Sequence, residues 1–201
     1  VFAGPAPERI QHALAALCAE RGYEQLDLAG LCSRAGVGEE EFHRHFTDLD
    51  ECFSLTVERG TEALLAAVGA AFLAEAGWRR QLRACAWALL DFLRADLDWA
   101  RLMVSEAAGA PERAREARDR GMQALAALLD LARTELPDPS SVPPATDEVT
   151  AGAIYARIHL AVEEDGLAHG EQLVPELMYI AVRPYFGDAA ARAELEEPRP
   201  G

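Results

Sequence analysis

LDLAGLCSRAGVGEEEFHRHFTDLDECF, residues 26 to 53, decides the fold. Asp27 has the side chain to cap a helix whose apolar positions Leu28, Leu31 and Cys32 share one face. Gly36 suits the left-handed position just past a helix C-terminus, so the pattern predicts a stop there. Val37 then points inward. Gly38 opens a second short helix, and Phe42 and Phe46, four apart, face the first. A long third helix follows at once. Two short helices on a tight glycine turn are the layout of a helix-turn-helix.

Working outward, Pro7 to Arg21 predicts a first helix, with Ile10, Leu14, Leu17 and Cys18 as the stripe that covers the other two. With it in place, AGVGEEEFHRHFTDLDECF and the upstream Gly22-Tyr23 pair resemble the N-terminal domain of the tetracycline-repressor (TetR) family of bacterial regulators. LVPELMYIAVRPYFGDAA, residues 173 to 190, is similar to the last long helix of a subset of that family. The resemblance covers nearly the whole chain. It implies an all-α fold, with a three-helix helix-turn-helix domain at residues 1–47, a larger helical effector-binding and dimerisation domain at 48–187, and a tail at 188–201. The function it implies is a ligand-responsive transcriptional regulator that binds DNA as a homodimer in the cytoplasm. The positions matching the family's DNA-contact stretch are Arg34, Gly38, Glu39, Glu40, Glu41, His43 and Arg44.

The departures lie in that same stretch. Where the family carries a serine cap, small or basic residues and a tyrosine, this chain has Gly38, three glutamates and His43. Where a lysine usually opens the next helix, Leu49 stands between Asp48 and Asp50. Residues 1 to 50 hold four arginines and nine acids, a formal charge of 4 − 9 = −5. DNA affinity comes largely from cations that displace counterions at phosphates, and a DNA-reading face is normally basic. Acids in the first helical turn complement the helix dipole instead, stabilising the fold at the expense of phosphate binding. The alternative is therefore a TetR-like sensing or dimerisation module that does not itself bind DNA, part of a longer tandem protein.

The whole chain agrees with that charge. Its 201 residues are half hydrophobic, enough for a sizeable core, and its net charge is −15 with every basic residue an arginine. The longest apolar run, twelve residues from Ala63 to Ala74, falls short of the roughly 20 that span a bilayer. Cys18, Cys32, Cys52 and Cys85 lack metal-ligand spacing and sit on apolar helical faces, so buried reduced thiols are expected. His43 and His45 are two apart and point to opposite sides of a helix. No metal, cofactor or enzymatic motif is expected.

Beyond residue 47 the periodicity predicts helices over Asp48–Ala76, Trp78–Ala95, Leu97–Ala108 and Pro111–Leu136. A proline and serine loop follows at 137–146, then helices over Asp147–Leu167 and Glu171–Phe186, with Pro184 ending or kinking the last. Those two are apolar on more than one side. Val149, Ala153, Ala156 and Leu160 form one stripe, and Ile154, Ile158 and Ala161 another. One stripe packs on the chain's own core, and the other calls for a partner, so residues 147–186 are the expected homodimer interface. The large domain's aromatic and sulfur side chains are material for an apolar small-molecule pocket. Trp87, Trp99 and Met103 are expected near such an effector, with Glu106, Tyr155 or His159 supplying polar contacts.

Overall fold

The computed structural model describes residues 4–104 and 110–199, apart from the side chain of Asp165. Among the described residues there are nine α-helices and no strand. They are α1 Ala6–Arg21, α2 Leu28–Ala35, α3 Glu39–His43, α4 Leu49–Leu73, α5 Trp78–Ala95, α6 Leu97–Val104, α7 Glu112–Asp130, α8 Thr146–Asp165 and α9 Gly170–Glu196. The expected last turn of α6 falls partly on 105–109, outside the described residues. By packing, the chain divides into two compact units, Val1–Glu62 with Asp96–Asp119, and Ala63–Ala95 with Arg120–Gly201. In the first unit α6 and the start of α7 pack with the helix-turn-helix.

The first unit is built on the stripes read from the sequence. Ile10, Leu14, Leu17 and Cys18 of α1 meet Leu31, Cys32 and Ala35 of α2, Phe42 and Phe46, Phe53 and Val57 of α4, and Leu102 of α6 in one buried cluster. The Asp27 carboxylate accepts from the Gly30 N–H at 2.7 Å, capping α2. Gly36 closes α2 in the left-handed region at φ 66° and ψ 41°, as its position predicts. At the start of α4 the capping is reciprocal. Asp48 accepts from the Glu51 N–H at 2.8 Å, and Glu51 accepts from the Thr47 N–H at 2.6 Å and hydroxyl at 2.8 Å. Two acidic residues thus occupy this helix start as caps.

In the second unit α5 is held by its neighbours through specific bonds. The Trp78 backbone N–H donates to Glu135 at 2.7 Å, and its indole N–H to the Leu128 carbonyl at 2.7 Å. The Cys85 thiol donates to the Val68 carbonyl of α4 at 3.5 Å. All four cysteines are buried and free. Burial pushes Cys52 up to about 12 and Cys85 up to about 11, which keeps both thiols inert at neutral pH. The α7 helix gives way at Leu131–Glu135 to a 3-10 turn, shorter than the expected run to Leu136. There Arg133 donates to the carbonyls of Pro139, Val142 and Pro143, pinning the proline and serine loop.

The tail differs from its sequence reading. A break at Gly187, with φ 81° and ψ 175°, lies three residues after Pro184, and the chain then resumes helix to Glu196. This second arm returns along α5. Glu194 is 3% exposed and pairs with Arg79 and Arg83, Glu197 pairs with Arg83, and Arg199 reaches Asp91 at 2.6 Å. Residues 188–199 are therefore packed structure, because a buried carboxylate finds cations on α5 that local sequence does not reveal.

Candidate functional site

The helix-turn-helix presents Gly38, Glu39, Glu40, His43 and Arg44 to solvent, with Glu41 half-buried between them. Phe42 anchors the turn in the core, and the His43 ring stands edge-on to it at 5.3 Å. The arginines of this surface are engaged within the chain. Arg34 on α2 lies 2.5 Å from Glu20 of α1, and Arg44 lies 3.0 Å from Glu40 one turn before it. Arg9 on α1 donates to the Gly36 carbonyl at 3.4 Å. The Arg44 pair was readable from its i, i+4 spacing. The Arg34 pair bridges fourteen residues, and Arg9 reaches across twenty-seven, so neither had a local signal.

Such exposed pairs are worth only about 0–1 kcal/mol each. A phosphate could compete for either arginine, so the pairs alone do not silence the surface. Opening both pairs would free two glutamates on a domain that also carries Glu39, Glu41, Asp48 and Asp50.

The expected effector contacts among the described residues are divided between the two units. Trp99 and Met103 lie on α6 in the first unit, where both rest against Gly60 of α4. A Cβ there would stand 2.7 Å from the Met103 sulfur and 3.1 Å from the Trp99 ring. They pack a helix crossing. Glu106 lies outside the described residues. Trp87, Tyr155 and His159 belong to the second unit. There Trp87 is buried, with the Arg199 guanidinium 4.7 Å from its ring centroid, and Tyr155 and His159 are half-buried on α8. Trp87 Nε1 and His159 Nδ1 are buried and have no hydrogen-bond partner, which in a native core calls for an explanation.

Sequence reasoning takes the other apolar positions of the second unit as core. Leu64, Leu65, Val68 and Phe72 of α4, Leu89 of α5, and Leu125 and Leu128 of α7 are all only half-buried, although the helices carrying them are joined by the Cys85–Val68 and Trp78–Leu128 bonds. Periodicity places such residues inward but does not distinguish a filled core from an accessible one.

On α8 the two apolar stripes part company. Ile154, Ile158 and Ala161 are buried, while Val149 is 70% and Leu160 47% exposed, with Gly152, Ala153 and Ala156 exposed between them. On α9, Leu173, Val174, Leu177, Met178, Ala181 and Val182 are buried. Arg157 of α8 pairs with Glu176 of α9 at 2.7 Å. Among the described residues no group of histidine, cysteine and acidic side chains is arranged to hold a metal, and no helix is long and apolar enough to cross a membrane.

No family model matches the sequence, and no curated protein matches it either. Solved structures do. A TetR-family transcriptional regulator from Bordetella parapertussis superposes with a TM-score of 0.74 at 13% identity, over 92% of this chain and 96% of its own. The fatty acid degradation regulator FadR from Bacillus halodurans gives 0.72 at 16% identity, over 92% and 97%. A regulatory protein of the tetR family from Rhodococcus RHA1 gives 0.69 at 17%, over 96% of each chain. Identities this low speak for the backbone alone, and over nine-tenths of each chain the backbones agree: this chain has the fold of the TetR-family transcriptional regulators.

Proposed function

We propose that the chain is a TetR-like sensing module that pairs as a homodimer, takes an apolar small-molecule effector in its larger domain, and keeps its helix-turn-helix as architecture without engaging DNA. The division of labour assigns residues 1–47 to the helix-turn-helix and 48–187 to effector binding and dimerisation, in a cytoplasmic protein with no enzymatic role. One observation carries the reading. The two arginines on the reading elements, Arg34 and Arg44, are each neutralised by a glutamate of the same chain, and the surface around them is acidic. The dimer is supported by the bare apolar stripe Val149, Ala153, Ala156 and Leu160. The effector is supported by the half-buried apolar positions of α4, α5 and α7 and by the orphaned Trp87 and His159 nitrogens, which suit a ligand with polar atoms on an apolar body.

A second reading is a ligand-responsive regulator that binds DNA as a homodimer. It is favoured by fold neighbours that are described as TetR-family transcriptional regulators. Mixing the purified dimer with duplex DNA separates the two. The module reading requires that no complex form at low salt, and a saturable complex supports the regulator.

A further inference from the structure

His12 on α1 offers a single atom to two groups on α6 that need it in opposite states. The Trp99 indole N–H donates to His12 Nδ1 at 3.2 Å, and Asp96 Oδ2 lies 3.3 Å from the same nitrogen. An imidazole nitrogen accepts as a bare lone pair and donates only when it carries a proton. The Trp99 contact therefore requires Nδ1 to be unprotonated, and the Asp96 contact requires it protonated.

Both α6 groups are fixed in place. Asp96 caps α6, its Oδ1 accepting from the backbone N–H groups of Asp98 and Trp99 at 3.1 Å each, which leaves Oδ2 for the imidazole. Trp99 is seated on Gly60 of α4 with no room for a Cβ beneath it. One helical turn thus aims a carboxylate and an indole N–H at one nitrogen.

We infer that His12 is a proton-operated latch between α1, a helix of the helix-turn-helix domain, and α6. In the neutral state Nε2 carries the proton and Nδ1 accepts from Trp99. A proton from solvent adds to Nδ1, giving an imidazolium that donates to the Asp96 carboxylate, and the indole loses its acceptor. Loss of that proton restores the first state. The His12 and Asp96 side chains are 40% and 37% exposed, so solvent reaches the pair directly. The other charged groups of the packed helices in this unit, among the described residues, are Glu8, held by Arg59 of α4 at 3.2 Å, Arg9, turned to Gly36, Glu20, paired with Arg34, and Arg21 on α1, Asp98 and Arg101 on α6, and on α4 Asp50, bonded by Tyr23, Glu51, bonded by Thr47, Glu58, paired with Arg113, and Glu62. Arg59 also donates to Gln11 at 2.9 Å, so Glu8 is already neutralised.

The test is an NMR pH titration of the full chain that follows the His12 imidazole and the Trp99 indole N–H together, with Trp99→Phe to assign the indole. The latch predicts that both resonances move with one midpoint, and that His12→Gln stops the indole from titrating. An indole resonance that stays still while His12 titrates in the unmodified chain overturns the proposal. So does an indole titration that survives in His12→Gln.

Discussion

Glu194, nine residues beyond Tyr185 on the returning arm of α9, is buried against Arg83 of α5 and ties the C-terminal arm to the second unit's central helix. Arg83 is itself only 12% exposed, while Arg79, the outer partner at 3.6 Å, is 48% exposed. Removing one member of a buried pair strands the other, at about 3–5 kcal/mol when burial is complete. Because Arg83 keeps Glu197 at 3.3 Å, Glu194→Ala should cost roughly 2–3 kcal/mol. Arg79→Ala should cost no more than about 1 kcal/mol. Urea melts of the two variants test the ranking, and equal losses would contradict it.

Two glycines of α4 should respond with opposite sign. At Gly60 a Cβ would meet Met103 and Trp99 at 2.7 and 3.1 Å, whereas at Gly69 nothing lies within 4 Å. Gly69→Ala gains helix propensity and should stabilise the protein by about 0.5–1 kcal/mol. Gly60→Ala gains the same term but overpacks the α4–α6 crossing by about 1–3 kcal/mol, for a net loss. Thermal melts of the two variants, side by side, check this.

The acid arm of the stability profile has a named contributor. Hydrogen bonds from the Thr47 N–H and hydroxyl hold the Glu51 carboxyl below its ordinary 4.5. A folded value below the unfolded one means that the contribution is complete above about pH 4.5 and is lost as the pH falls through the folded value. Asp138, bonded by Ser140, and Asp188, bonded by Arg192 and Tyr179, are lowered in the same sense. Stability measured from pH 6 downward should therefore decline below about pH 4.5, and Glu51→Gln should make the decline shallower while lowering the plateau. An unchanged slope in that variant would contradict the assignment.

How much of this was legible in the sequence depends on the range of the interaction. Asp27, Gly36 and the Phe42–Phe46 spacing report local geometry, and the structure places each as its position predicts. The α5 helix runs from Trp78 to Ala95 as its stripe requires. The returning arm was not legible, since Pro184 announces a break but only Arg83, 111 residues away from Glu194, determines where the chain goes next. The placement of the expected effector residues was not legible for a related reason. Trp87 is buried and Trp99 partly buried, both on apolar stripes, and nothing local says that one packs a helix crossing over Gly60 while the other lies in a different unit.

The proposed dimer rests on the exposed stripe of α8. A glutamate at Leu160 or Ala156 places a charge in an apolar helix contact without touching the chain's own core, because both positions face solvent in the single chain. Sedimentation should show a dimer for the unmodified chain and a monomer of unchanged helicity for Leu160→Glu. A variant that remains dimeric would move the interface elsewhere.

The central claim concerns charge on the helix-turn-helix, and the measurement that reaches it most directly is binding of the purified dimer to duplex DNA, by fluorescence anisotropy, as salt is lowered from about 200 to 50 mM. Log affinity rises as salt falls, with a slope set by the number of phosphates a protein neutralises. An acidic surface with Arg34 and Arg44 already paired predicts no measurable binding at any salt, for random duplex and for the chain's own upstream region alike. Submicromolar binding with a steep salt slope would contradict that account, by showing that the arginines leave Glu20 and Glu40 for phosphate.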